Sequence, residues 1–159
     1  YLDKMEAEIK TYEAQNKTGN PVLDTVLTSK SLYSVRHGIN LTCVANGKLL
    51  DFMDVMDICT IFGNALDNAI ESAQRISDPE KRLIHVSVFA QKNFLIIRFE
   101  NYYESELHFD GNMPVTTKKN RDYHGYGLKS IKYVAQKYGG SVSVQASNNW
   151  FDLKILIPM

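Results

Sequence analysis

No stretch of this sequence approaches the roughly 18 consecutive apolar residues that a bilayer-crossing helix needs, so no membrane span is predicted within it. A signal peptide is lacking too, and Tyr1 already lies inside a helical pattern, as expected of a chain that begins mid-protein. Cysteine is scarce: Cys43 and Cys59 stand alone in apolar stretches. Without CxxC spacing they read as two buried thiols of a reducing compartment rather than a disulfide. Net charge is absent, with 18 Lys plus Arg against 18 Asp plus Glu, which gives no sign of a nucleic-acid or membrane surface. No GxxxxGK[ST] occurs, which excludes a Walker loop. Repeats and low-complexity tracts are also missing.

What remains is a globular profile, 44% hydrophobic and 23% charged over 159 residues, enough for one domain and a short appendage. Residues 1–16 are helix-prone, with Leu2, Met5, Ile9 and Tyr12 forming a stripe narrow enough for a coiled-coil end or dimer seam. Lys17 to Pro21 breaks the pattern and marks a boundary. A second helix is predicted from Pro21 to Arg36, with Val22, Leu23, Val26, Leu27, Leu32 and Val35 inward, ending at His37-Gly38. A strand follows over Ile39 to Ala45. Asp54 then caps a helix running to about Arg75, with Asp57 at its third position. Strands are predicted at Leu83 to Ala90, Phe94 to Asn101, Ser141 to Ser147 and Trp150 to Ile157. Between them, Tyr102 to His124 is polar and lacks periodicity, which suggests a lid. A helix from Gly127 to Tyr138 stops at Gly139-Gly140. This order predicts an α+β fold, one mixed sheet with helices on one face.

Two segments carry chemistry. In GNALDNAIES, residues 63–72, helical spacing gathers Thr60, Asn64, Asp67, Asn68 and Glu71 into one arc. Ile58, Ile61, Phe62, Ala65, Ala69 and Ala73 fill the neighbouring arc. Asparagine is costly mid-helix because its side chain competes for backbone hydrogen bonds. Two of them one turn apart indicate either a polar face packed under a loop or an oxygen-rich face for Mg²⁺ beside phosphates. The second segment is HGYGLKSI, residues 124–131, where Gly125 and Gly127 precede the helix. Such glycines make either an ordinary turn or a close backbone approach to phosphates at a helix N-terminus. Lys118, Lys119, Arg121 and Lys129 add positive charge nearby.

In this order, the two segments resemble the GHKL ATPase superfamily. GNALDNAIES is similar to its N box, and GYGL (125–128) to its second glycine box. DICTIFGNALDNAIESA from Asp57, TTK at 116–118 and HGYGLKSIKYVAQKYGG from His124 resemble the catalytic domains of membrane histidine kinases that sense peptide signals. The resemblance implies a two-layer α/β sandwich of Bergerat type, a mostly antiparallel sheet of about five strands on three helices. It implies a catalytic domain over residues 19–159, with 1–18 as the end of an upstream dimerisation and phosphoacceptor hairpin. Its cofactors would be ATP and Mg²⁺, with Asn68 as the metal ligand.

By the same resemblance, Asn64 stands where ATP-hydrolysing relatives carry a glutamate base, and Asp67 and Glu71 line the same face. Gly125, Gly127 and Leu128 would close around the phosphates, with Thr117, Lys118 and His124 as further nucleotide contacts. The departure is Asn101: the strand FLIIRFENYY ends in asparagine where DxGxG is usual, so an uncharged amide would receive the adenine amino group. Of the four histidines, His37, His85, His108 and His124, none lies in the first helix, so the phosphoacceptor would come from outside.

The reading is therefore a cytoplasmic kinase domain of a membrane-anchored, dimeric sensor, acting with a response regulator and no nucleic acid. A non-catalytic nucleotide-gated signalling module is the alternative that Asn101 supports. A stand-alone serine kinase or ATPase of the same superfamily fits less well, given the appended helix and no glutamate at position 64.

Overall fold

The computed structural model describes residues 2–104, 108–110, 113–115 and 121–159, with backbone alone for 12, 14, 15, 108–110, 113–115 and 121–126. Helices α1 (Leu2–Gln15) and α2 (Pro21–Arg36) lead to strand β1 (Asn40–Ala45), and a 3₁₀ turn (Gly47–Leu50) precedes α3 (Val55–Gln74). Strands β2 (Leu83–Gln91) and β3 (Phe94–Tyr102) form a hairpin, followed by short strands β4 (His108–Asp110) and β5 (Met113–Val115). Helix α4 (Arg121–Lys137) and strands β6 (Ser141–Ser147) and β7 (Trp150–Pro158) complete the fold.

The main sheet has the order β1-β2-β3-β7-β6, with β1 parallel to β2 and every other pairing antiparallel. One face is apolar: Ile84, Val86 and Val88 of β2, Leu95, Ile97 and Phe99 of β3, and Leu153, Ile155 and Ile157 of β7 are all buried. The opposite face carries Arg98 and Asp152 across the β3–β7 pair, joined by bonds of 2.6–3.1 Å from both Nε and Nη2. This alternation is what a sheet with one covered face requires. The cover follows the strand order, with α2 on β1, α3 on β2 and β3, and α4 on β6 and β7. Five strands on three helices was the expectation, and α1 packs separately on α2.

Local signals explain most boundaries. Asn20 caps α2, its Oδ1 accepting from the amides of Val22 and Leu23 at 3.0 and 3.1 Å. The predicted break at 17–21 is a packed joint. Thr18 donates its backbone N–H and its hydroxyl to Asp24 Oδ1 at 2.7 and 2.6 Å, and Thr18 O accepts from Gly47 N at 2.8 Å. A Cβ on Gly47 would lie 2.2 Å from Thr18 Oγ1, so only glycine allows this approach. Met5 and Ile9 of the α1 stripe are half-buried, while Leu2 is exposed.

Other expectations need correcting. The buried face of α2 is Leu23, Leu27, Thr28, Ser31 and Ser34, and Val35 faces solvent. Ser31 Oγ accepts from Asn16 Nδ2 at 3.3 Å, so a small hydroxyl side chain replaces an apolar one where α1 approaches. Both cysteines are free, as expected, but only half-buried. Burial, reinforced by the Asp24 charge, pushes the Cys43 thiol up to about 11 and keeps it protonated at neutral pH. The segment read as an unstructured lid contains the β4–β5 ladder, and α4 begins at Arg121, six residues before the expected start. Glycine is disfavoured in a helix without being forbidden, and a glycine-rich start can continue as helix.

Asp54 occupies the cap position of α3 but makes no side-chain capping bond. Instead Asp54 and Asp57 turn to the far end of α4. Asp57 Oδ2 accepts from Lys137 Nζ at 2.8 Å and from the Tyr138 hydroxyl at 2.5 Å, and Lys137 also reaches Asp54 at 3.3 Å. The Lys137 and Tyr138 bonds hold the Asp57 carboxyl below its ordinary value, and the Asp57 bond holds the Lys137 ammonium above its own. A carboxyl depressed in the folded state stabilises above its unfolded pKa of about 3.9, and that contribution fades as the pH falls through the folded value. Asp57→Asn should therefore cost about 1–2 kcal/mol at pH 7, discounted for the exposure of Lys137. The gap between the two proteins should shrink toward pH 3. Urea unfolding of both at the two pH values checks the sign.

Candidate functional site

Helix α3 places its two arcs as the sequence pattern requires. Ile58, Ile61, Phe62, Ala65, Ala69 and Ala73 are buried, and Phe62 meets Phe99 of β3 edge-on at 5.3 Å between ring centroids. Thr60, Asn64, Asn68 and Glu71 are half-buried and Asp67 is exposed. The polar residues remain helical by bonding back along the helix. Thr60 Oγ1 donates to Met56 O at 2.9 Å, and Asn64 Nδ2 donates to Thr60 O at 2.8 Å. That second bond commits the Asn64 nitrogen and orients its Oδ1.

The orientation matters because α4 crosses here. A Cβ built on Gly127 would lie 3.5 Å from Asn64 Oδ1 and 3.7 Å from Asn68 Nδ2. The amide face of α3 and the glycine segment of α4 therefore adjoin. A cavity of about 380 Å³ opens beside this contact. Helix α3 lines it with Asn64, Asp67, Asn68, Ile70, Glu71 and Gln74, α4 with Gly127, and α2 with Ser29, Lys30 and Tyr33. Lys30 Nζ bonds Asp67 Oδ1 at 2.5 Å, and Gln74 Nε2 bonds the Tyr33 hydroxyl at 3.0 Å, so these pairs link α2 to α3. The volume falls within the usual range for small-molecule sites.

Asn101, on β3, is not among the residues lining this cavity, and it bonds α3 at Ser72, between Glu71 and Gln74. It is 4% exposed at the end of β3, between Ile84 and Phe151 on the adjacent strands. Its Nδ2 donates to Ser72 Oγ at 3.2 Å and to Tyr102 O at 3.3 Å. A backbone carbonyl only accepts, so the nitrogen must face it, and Oδ1 is the amide's remaining acceptor. Leu128 is 9% exposed and belongs to the hydrophobic core with Ile131, Val134 and Ala135. Gly125 and His124 lie on α4, the side chain of His124 being outside the described atoms; Thr117 and Lys118 lie outside the described residues altogether. His37 and His85 are held locally, His37 Nδ1 by Tyr33 O at 2.8 Å and His85 Nδ1 by Thr42 Oγ1 at 2.5 Å.

Sequence reasoning missed Ser29, Lys30, Tyr33 and Ser72. A signal for the first two exists: Thr28-Ser29-Lys30-Ser31 interrupts the apolar stripe of α2 midway. The oxygen donors present are amides and carboxylates, hard ligands suited to Mg²⁺. Among the described residues, no group of three His, Cys, Asp or Glu forms a ready metal cage. Mg²⁺ needs only one or two such oxygens when phosphates supply the rest, so the donor set fits. No helix among the described residues is long and apolar enough to cross a membrane.

A family model described as "GHKL domain" matches residues 53–158, about two thirds of the chain. The chain belongs to the GHKL family. None of the curated proteins matches it. Among solved structures, the nucleotide-free catalytic domain of histidine kinase ThkA superposes with a TM-score of 0.66 at 16% identity. That match covers 89% of this chain and 94% of the other, and a second ThkA crystal form gives 0.64. The Acinetobacter baumannii histidine kinase AdeS superposes at 0.59 with 13% identity over 87% of this chain, which spans 63% of the AdeS chain. This GHKL domain therefore has the fold of histidine kinase catalytic domains. Its family match begins at Met53 and leaves α1, α2 and β1 outside.

The gap at Gly127 is one methyl wide, since every contact of an added Cβ is at ordinary van der Waals distance. Gly127→Ala should raise stability by about 0.5–1 kcal/mol through better helix propensity. The same methyl would fill the space between α4 and the two asparagines, where a phosphate would have to approach. Thermal melts should rise while nucleotide affinity, measured calorimetrically, falls.

Proposed function

We propose that this GHKL domain is the catalytic domain of a two-component sensor histidine kinase of the peptide-sensing type. It binds Mg-ATP and passes the γ-phosphoryl group to a histidine outside this chain. The observation that carries this reading is the meeting of Asn64 and Asn68 on α3 with Gly127 on α4, beside an open cavity.

In this reading Asn68 would supply an oxygen to hold Mg²⁺, with Asp67 and Glu71 lining the same face of α3. When bound, Mg²⁺ neutralises charge on the phosphates. Asn64 presents a neutral amide, whose nitrogen lone pair is delocalised into its carbonyl, so it has no basic group with which to activate water. That favours transfer to an imidazole over hydrolysis. Gly127 permits close approach of α4 to the phosphates, with Gly125, His124, Thr117 and Lys118 as candidate contacts, while Leu128, expected among them, instead anchors α4 in the core. Asn101 receives the adenine amino group on Oδ1, its orientation secured by Ser72 and Tyr102. Catalysis is then positioning and charge neutralisation. The full protein would be a membrane-anchored dimer with this domain in the cytoplasm, a phosphoacceptor hairpin before residue 19 and a response regulator as partner.

Calorimetric titration of ATP should show binding that strengthens with Mg²⁺, and Asn68→Ala should remove at least a tenfold share of that metal dependence. Unaltered metal dependence in the variant would remove Asn68 from the site. The second reading, a non-catalytic nucleotide-binding module, draws on Asn101, whose neutral amide gives the adenine a weaker acceptor than a carboxylate. Acid-labile phosphate formed on the longer native protein supports the kinase; nucleotide binding without it supports the module.

A further inference from the structure

The cavity beside the paired asparagines is lined by more than the GHKL unit. Lys30, on α2, lies 23 residues before the family match begins, yet it faces Asp67 across the cavity. The charged lining is Lys30, Asp67 and Glu71, one ammonium against two carboxylates. A triphosphate carries more negative charge than one divalent cation cancels, so bound here it needs positive charge beyond the metal. Among the described residues of the lining, Lys30 is the one cation.

Its position also selects an end of the nucleotide. Asn101 is tied to Ser72, whereas Lys30 is tied to Asp67, five residues and about 7.5 Å earlier along α3. An adenine held at Asn101, with its phosphates at Asn68 and Asn64, would have its terminal phosphate nearest the Lys30 end of this stretch. The lysine side chain is 25% exposed and that of Asp67 60%, so the pair is open enough to exchange partners. A lysine ammonium on a flexible four-carbon stem is suited to that exchange.

We propose that Lys30 leaves Asp67 to bind the terminal phosphate of the nucleoside triphosphate, making α2 an integral wall of the nucleotide site. This rests on the reading of the domain as nucleotide-binding. The contact is to a phosphate that ATP has and ADP lacks, so it predicts a preference between the two.

The test measures Mg-ATP and Mg-ADP affinities on the whole chain for the wild type, Lys30→Met and Lys30→Arg. Lys30→Met should weaken ATP about tenfold or more and leave ADP within twofold, while Lys30→Arg keeps most of the ATP preference. If the wild type binds ATP and Lys30→Met binds it equally well, the inference is overturned. Equal weakening of ATP and ADP also overturns it, because loss of the α2–α3 ion pair would then be acting through structure alone. Failure of the wild type to bind either nucleotide would overturn the nucleotide reading itself, and this inference with it.

Discussion

Helix α3 has to satisfy two neighbours at once. Its apolar arc is pressed onto β2 and β3, with Phe62 against Phe99, and this fixes its rotation about its own axis. With the rotation fixed, Asn64, Asp67, Asn68 and Glu71 cannot face the sheet and must lie toward the helices on either side. The Asp57, Lys137 and Tyr138 cluster then pins the start of α3 to the end of α4. Gly127, ten residues before Lys137, is thereby held over the asparagines. Burial of one helix face and one ionic clasp together generate the cleft.

That dependence explains which features were legible in the sequence. The period of α3 was readable because nearly every residue of the arc from Ile58 to Ala73 is apolar, and no strand pattern competes. The hairpin strands and the Gly139-Gly140 stop were equally plain, since Gly140 packs where a Cβ would lie 2.4 Å from Leu156 O. Asn64, Asp67, Asn68, Glu71 and Gly127 were found by pattern and converge in space. Asn101 was correctly placed at the strand end, but its hydrogen bond to Ser72 depends on strand register against a helix, which no local pattern encodes.

The misreadings have a common cause. Val35 was assigned inward by hydropathy, yet the face of α2 that is buried at its C-terminal half carries Ser31 and Ser34. The Ser34 hydroxyl is buried with no hydrogen-bond partner among the described residues, so close helix packing, not polarity, decides that face. Lys30 went unread because its partner lies 37 residues away. Asp54 fits the capping rule, but a lysine from the other end of the chain outcompeted the helix amides for its carboxylate. In each case a tertiary partner overrode a sound local preference.

The joint between α1 and α2 has a mechanical consequence. Of its five residues, 16–20, Thr18 is held by Asp24 and Gly47 and Asn20 by Asp51, which leaves little slack. A flexible tether absorbs displacement in its own dihedral freedom, whereas a bonded one passes it on. Any twist or shift of α1 is thus delivered to the first turn of α2 and to the 3₁₀ turn at 47–50. The stiffness of three short hydrogen-bonded contacts determines how much of that motion arrives.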